Sequence, residues 1–109
     1  MPAAYKVLGQ LNPAATAATT LYTVPASTSA VASTLSVCNQ GALAASFRVA
    51  VRPAGATLAA RHYLVYDSSL TASDSVFLTL GITLATTDVV TVYTSSADLS
   101  FSLFGSEMT

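Results

Sequence analysis

The sequence predicts an all-β protein: a single β-sandwich of about eight antiparallel strands, of either the jelly-roll or the immunoglobulin-like type. Its dominant hydrophobic period is two, which is the period of a strand that buries one face. Short apolar runs alternate with turn-forming residues at the regular spacing that is typical of sandwiches and barrels. With 109 residues, the chain has room for one hydrophobic core but not for two.

The alternation is clearest in the stretch FRVAVR, where Phe47, Val49 and Val51 fall on one face and Arg48 and Arg52 on the other. The same pattern recurs near residues 76–80 and 99–103. Because residues two apart in a strand share a face, one set should point into the core. The inward-facing residues are expected to include Phe47, Val49, Val51, Leu78, Leu80, Leu99 and Phe101.

Turn and breaker residues separate these runs, namely Asn12, Pro13, Pro25, Asn39, Gln40, Gly41, Pro53, Gly55, Ser73, Asp74 and Gly105. The predicted strands lie near residues 4–9, 20–24, 30–38, 45–52, 61–67, 75–81, 88–94 and 98–104. Residues 63–66 and 89–93 are apolar on both faces, which is typical of inner strands or of strands covered by a partner. Residues 14–20 and 56–60 contain good helix formers, but each segment is too short for a helix and is predicted to be a loop or a single turn.

Residues 1–109 are predicted to form a single domain, without an internal repeat or a linker. Residues 1–19 contain Pro2, Pro13 and a run of Ala and Thr. They form either an extended arm that reaches across a neighbouring subunit or an ordinary first strand and loop. The start of the chain lacks the pattern of a signal peptide, and no stretch approaches the ~20 apolar residues of a membrane-spanning helix.

Charged residues make up 8% of the chain, and the formal net charge is −1, whereas soluble domains average roughly 25% charged residues. No basic cluster is available for phosphates or anionic lipids, so neither nucleic acid nor a membrane is an expected partner. A surface rich in Ala, Ser and Thr is easily desolvated and suits permanent protein contacts. The alternative is a secreted or weakly soluble domain with ordinary Ser/Thr-rich loops.

Catalysis and metal binding need several titratable groups in one place. The chain has one histidine and one cysteine, His62 and Cys38, and its carboxylates are dispersed near predicted strand ends, where they can cap turns. We therefore expect no enzyme activity, no metal site and no cofactor. Cys38 is predicted to be a buried structural thiol without an intrachain disulfide, which fits a reducing cytoplasm. His62 is predicted to be a surface residue at the start of a strand rather than a ligand-binding group.

Two further groups have alternative interpretations. Arg48 and Arg52 share one face of a strand, and they either pair with carboxylates of a neighbouring subunit or belong to a solvated outer face. The tyrosines can act as interface anchors or as a platform for a glycan, although some must pack in the core. They are Tyr5, Tyr22, Tyr63, Tyr66 and Tyr93.

Six segments are spread over most of the length of the chain: AYKVLGQ (4–10), LYTVP (21–25), SVCNQG (36–41), FRVAVRPAG (47–55), HYLVYD (62–67) and FGSEMT (104–109). In this overall pattern the chain resembles small virion structural proteins of tailed bacteriophages, including cyanophages. None of the segments is a chemical signature, and the resemblance transfers no catalytic or binding residue.

The resemblance implies a β-sandwich protein of the capsid decoration (cement) type, made in the host cytoplasm and located on the capsid surface of the virion. Such proteins commonly form trimers, or sometimes dimers, that bridge capsid subunits. The implied partners are therefore the major capsid protein and further copies of the chain, with a homotrimer expected. The alternative is a phage tail, fibre or baseplate component that binds a host glycan or another tail protein.

Overall fold

The structure, a computed structural model, describes residues 3–109. Its strands are β1 (Ala3–Leu11), β2 (Thr19–Thr23), β3 (Ser29–Asn39), β4 (Ala45–Arg52), β5 (Tyr63–Leu70), β6 (Ser75–Leu84), β7 (Val89–Thr94) and β8 (Leu99–Met108). Two single 3₁₀ turns, Pro53–Gly55 and Ala60–His62, lie between β4 and β5. Within residues 3–109, no helix is long and apolar enough to span a membrane.

The strands form two antiparallel four-stranded sheets. Sheet A has the order β1-β8-β3-β6, and sheet B has the order β2-β7-β4-β5. The first strand therefore pairs with the last, the second with the seventh, the third with the sixth and the fourth with the fifth. This is the pattern of an eight-stranded antiparallel ribbon rolled into a jelly roll. The predicted β-sandwich of eight antiparallel strands is confirmed, and the strand order selects the jelly roll over the immunoglobulin-like alternative.

Each predicted strand has a counterpart, but several strands are longer than predicted. The clearest case is β8, which continues to Met108 through Gly105, a residue interpreted above as a breaker. Gly105 pairs with Lys6 on one side and with Ala32 on the other, and a Cβ atom there would collide with the carbonyl oxygen of Val31. The glycine thus permits a close approach of two strands instead of ending one.

The hydrophobic core lies between the sheets. The rings of Phe47 and Phe101 meet edge to face, with their centroids 6.2 Å apart, and Val49 and Leu99 are equally inaccessible. The other three predicted core residues also pack against this cluster but remain partly exposed, namely Val51, Leu78 and Leu80. The partial exposure of the two leucines follows from their position on β6, an edge strand with a sheet neighbour on one side only.

The two segments that are apolar on both faces have different positions. β7 is an inner strand, and residues 89–92 are all buried. β5 is an edge strand on which Leu64 is 50% and Tyr66 is 60% exposed. The inner-strand interpretation is therefore wrong for residues 63–66, because apolar residues on both faces do not show by themselves whether a strand has two neighbours.

At the N-terminus, the structure contains an ordinary first strand and loop. β1 pairs with β8 along its length, with a bulge at Leu8. After the strand, Asn12 Nδ2 donates hydrogen bonds of 2.9 and 2.6 Å to the carbonyls of Ala97 and Leu99, which attach the loop to the start of β8. Pro2, which contributed to the prediction of an arm, lies outside the described residues.

Candidate functional site

The side chains that alternate outward from sheet A are uncharged in the part of the chain that the structure describes. In β8, Leu99, Phe101 and Leu103 are buried in the core, so the residues between them face outward. The strand registers extend this outer face across all four strands. We call it the uncharged face, and it comprises Tyr5, Val7, Gln10, Val31, Thr34, Ser36, Cys38, Ser75, Phe77, Thr79, Thr83, Ser100, Ser102, Phe104 and Ser106.

The carboxylates lie elsewhere, and two of them cap turns as the sequence predicted. Asp74 Oδ1 accepts a 2.8 Å hydrogen bond from the amide of Ser75. The two carboxylate oxygens of Asp88 accept from the amides of Ala54 and Ala85, each at 2.9 Å. These two carboxylates therefore hold the ends of the sandwich and do not lie on the broad face of sheet A.

The uncharged face is not flat. A shallow depression of about 570 Å³ crosses β1, β8 and β3, lined mainly by Tyr5, Val7, Val31, Phe104, Gly105 and Ser106. Bulges in β1 and β3 and the small residues of β8 account for it. Lys6 also lines the depression, and its Nζ donates a 3.0 Å hydrogen bond to Glu107. On the opposite side of the same face, Phe77 projects from β6 and is 67% exposed.

The outer face of sheet B has a different character, because an arginine lies there between two aromatic rings. The guanidinium carbon of Arg48 is 4.2 Å from the ring centroids of both Tyr66 and Tyr93, a cation–π geometry. Asp67 accepts from Nε at 2.6 Å and from Nη2 at 3.2 Å. Tyr63 meets Tyr66 edge to face, with the centroids 5.0 Å apart. We call these five residues the tyrosine–arginine cluster.

Arg48 and Arg52 both lie on the outer face of sheet B, and both bind residues of their own chain. The hydrogen bond from Arg48 holds the pKa of Asp67 below its usual range and raises the pKa of the arginine. Arg52 donates to the hydroxyl of Thr91 at 3.1 Å, and its Nη1 donates to the carbonyl of Ala56 at 3.1 Å. Arg52 therefore braces the loop that follows its strand.

A groove of about 650 Å³ borders the cluster and is lined by Leu58, Ala59, Ala60, Tyr63 and Tyr66. The loop that forms its wall is fixed by several bonds. Besides the contacts of Arg52 and Asp88, the amide of Ala59 donates a 3.0 Å hydrogen bond to Nδ1 of His62. His62 is buried, so the prediction of a surface histidine is wrong. Its imidazole accepts a hydrogen bond from a backbone N–H group that the loop would otherwise leave unpaired.

Cys38 is also placed differently from its prediction. It is half-buried and belongs to the uncharged face, where it pairs with Ser75 and Ser100. The residues before and after it, Val37 and Asn39, face the core and are almost fully buried. The alternation that places Leu35 and Val37 inside puts Cys38 outside, so the sequence pattern contained the signal for its true position.

Asn39 was interpreted as a turn residue, and its structural role was missed. Its side chain is buried, and Nδ2 donates to the carbonyls of Leu43, Leu70 and Thr71 at 2.9, 3.2 and 3.2 Å. Its Oδ1 accepts from the amide of Gly41 at 2.9 Å. One amide thus joins the loop after β3 to the end of β5. The sequence did contain a signal for this role: Asn39 follows Val37 by two positions, so the alternation of the strand places its polar side chain inward.

No three His, Cys, Asp or Glu side chains within residues 3–109 come together as a group that could hold a metal ion. Comparisons of the chain with family models, with curated proteins and with solved structures found no match. The candidate functional surfaces are the two outer faces of the sandwich.

Proposed function

We propose that the chain is a structural protein of a phage virion, which lies on the capsid surface and stabilises the capsid by bridging subunits of the major capsid protein. The observation that carries this proposal is the uncharged face, a four-stranded surface whose outward-facing residues, within the part of the chain that the structure describes, are uncharged. The resemblance of segments such as FRVAVRPAG (47–55) to small virion proteins supports a virus particle as the assembly.

The chemistry of the uncharged face suits a permanent protein contact. Burying hydroxyl groups that find hydrogen-bond partners costs far less free energy than burying unpaired charges. The exposed aromatic residues Tyr5 and Phe77 are of the types that anchor protein interfaces, where aromatic residues are enriched and charged residues are depleted at the centre. Such a contact depends little on ion pairs, so it should persist at moderate salt concentration.

Particles made without the protein test the proposal. They should assemble but open at a lower temperature, or under milder chelator or osmotic stress, than complete particles. Adding the purified chain back should restore their resistance without any cofactor, because a bound subunit that contacts several shell subunits gains from effective concentration. Particles that are equally robust with and without the protein would contradict capsid decoration.

A matched pair of variants tests the surface itself. Ser36 lies on the uncharged face, opposite Phe77, whereas Ser69 lies on the outer face of sheet B, opposite Ser46. Ser36→Lys places a cation in the proposed contact and should abolish restoration by the added protein. Ser69→Lys makes the same chemical change outside the contact and should restore particles as the unaltered chain does. Equal effects of the two variants would exclude the uncharged face as the contact.

The tyrosine–arginine cluster favours a second candidate function, a tail, fibre or baseplate component that binds a host glycan or another tail protein. The cluster places exposed aromatic rings beside an Arg–Asp pair and a preformed groove, a combination that can stack on a sugar ring and bind its hydroxyl groups. In this case, particles that lack the protein keep intact heads but fail to adsorb to cells. An adsorption assay beside the heat-stability assay separates the two functions.

A further inference from the structure

The uncharged face carries a projection and a depression that complement each other. Phe77, 67% exposed on the edge strand β6, is the projection. The depression of about 570 Å³ lies across β1, β8 and β3 and has an apolar lining that includes Val7, Val31 and Phe104. An apolar lining of this kind suits an aromatic ring.

Both features lie on the same side of the molecule, and this determines the symmetry of any contact between copies. A copy that inserts Phe77 into a neighbour's depression turns its own depression towards the neighbour's Phe77. A two-fold axis that lies in the contact plane, midway between the two features, exchanges them. The contact is then isologous and closes at two copies.

We propose that in the free chain the uncharged face is covered by a second copy, in a two-fold pair in which Phe77 of each copy inserts into the depression of the other, and that this pair opens when the face contacts a capsid. The outward-facing residues that the structure describes on this face are uncharged, and Lys6, which lines the depression, is paired with Glu107 of its own chain, so little charge repulsion opposes the meeting of two such faces. Four strands about 4.8 Å apart and about 30 Å long present roughly 600 Å² in projection, and the accessible surface of side chains exceeds their projection. This approaches the ~800 Å² that each partner buries in a standard interface.

The pairing differs from the trimer that the resemblance implied. A ring of three needs complementary features on two different sides of the subunit, whereas here both are on one side. The inference goes beyond the proposed function, because it concerns the free chain in solution and is tested without particles. A chain that pairs but does not stabilise capsids would overturn only the proposed function, and a monomeric chain that stabilises capsids would overturn only the pairing.

Sedimentation equilibrium of the full chain over a wide concentration range tests the pairing. The unaltered chain should form dimers, and Phe77→Ala should raise the dissociation constant about tenfold or more, as expected for an interface hot spot. Tyr66→Ala removes an aromatic residue of similar exposure from sheet B and should leave the constant unchanged. Thermal melts at low concentration confirm that the variants are folded. A monomer at every concentration, a trimer, or equal effects of the two variants would overturn the proposal.

A charge exchange tests the contact more specifically. Ser106 lines the depression, so in the pair it faces Phe77 of the other copy. Phe77→Asp and Ser106→Arg should each weaken the pair, because each buries a charge at the contact, and the nearby Lys6 is already bound to Glu107. The chain that carries both substitutions should pair again, since the carboxylate of one copy meets the guanidinium of the other. If the combined variant is no more associated than either single variant, the insertion of Phe77 is wrong. Should Ser106→Arg prevent folding, the comparison of Phe77→Ala with Tyr66→Ala decides the question.

Discussion

The phenol of Tyr22 in β2 donates a 2.5 Å hydrogen bond to Oε2 of Glu107 in β8, and this contact joins sheet B to sheet A. Lys6 donates a 3.0 Å hydrogen bond to the other carboxylate oxygen. The Tyr22 bond, followed by the Lys6 bond, holds the pKa of Glu107 below its usual range. Burial, and then the bond to Glu107, raises the pKa of Tyr22 far above its usual value. Nothing in the sequence indicated that Tyr22 and Glu107 form a pair, because they lie 85 positions apart.

These two pKa shifts predict how stability depends on pH. Glu107 has a lower pKa in the folded chain than in the unfolded one, so its contribution is complete above the unfolded value of about 4.3 and is lost as the pH falls through the folded value. Tyr22 has a raised pKa, so its contribution is complete below about pH 10 and is lost as the pH rises beyond it. Chemical denaturation at a series of pH values measures the loss of stability at acidic pH and the loss at alkaline pH.

Tyr22→Phe should remove the inter-sheet hydrogen bond while keeping the ring. We expect it to cost about 1–2 kcal/mol of unfolding free energy, near the low end for a bond to a charged group because Glu107 is close to solvent. The alkaline loss of stability should become smaller in this variant, since the residue no longer titrates. Lys6→Met is the control that removes only the more exposed bond. If Tyr22→Phe leaves the loss of stability at alkaline pH unchanged, the titration of Tyr22 does not cause that loss.

Phe47→Ala tests the core. Phe47 is 1% exposed and meets Phe101 edge to face, so truncation should cost about 3–5 kcal/mol, a large part of the roughly 5–15 kcal/mol that stabilises a domain. Leu43→Ala, at a site 80% exposed, should change the stability by less than about 0.5 kcal/mol. Urea denaturation of both variants gives the comparison, and a small loss for Phe47→Ala would place that side chain on the wrong face of β4.

Asn39→Ala tests the buried amide that joins two loops. The substitution removes the bonds to three carbonyls and to the amide of Gly41, which leaves buried backbone groups unsatisfied. We expect a loss of about 2–4 kcal/mol of unfolding free energy. Gln40→Ala, at the exposed next position, is the control and should be nearly neutral. Hydrogen exchange of the loop amides should accelerate in the Asn39 variant and stay unchanged in the control.

His62→Ala should destabilise the loop that forms the wall of the groove. The imidazole accepts the amide hydrogen of Ala59, and its loss leaves that donor unpaired, at a cost of about 1–3 kcal/mol. His62→Asn is the informative comparison, because its side-chain oxygen can accept the same hydrogen and should recover part of the loss. Thermal melts measure the difference, and identical melts for His62→Ala and the unaltered chain would show that the bond is dispensable.

Cys38 provides a probe of whether the uncharged face is covered. Its thiol is half-buried on that face, so a thiol reagent should modify it readily in dilute protein. In the proposed pair, the rate should fall as the protein concentration rises, and Phe77→Ala should abolish this dependence. Tyr66→Ala should retain it. A modification rate independent of concentration in the unaltered chain would indicate that the face stays open.

The sequence by itself determined the fold class, the eight strands and the inward direction of residues such as Phe47 and Phe101, because strand periodicity and turn chemistry are local properties of the chain. Only the tertiary structure decided that the sandwich is a jelly roll, that β5 is an edge strand, and that Arg48 lies between Tyr66 and Tyr93. These features depend on the pairing of strands far apart in sequence, which a local pattern does not specify. Bulges at Leu8 and Ser33 add to this, since each extra residue shifts the alternation. These bulges help to form the depression on the uncharged face. The scarcity of charge was visible in the composition, whereas the location of the face and the shape of its depression were not.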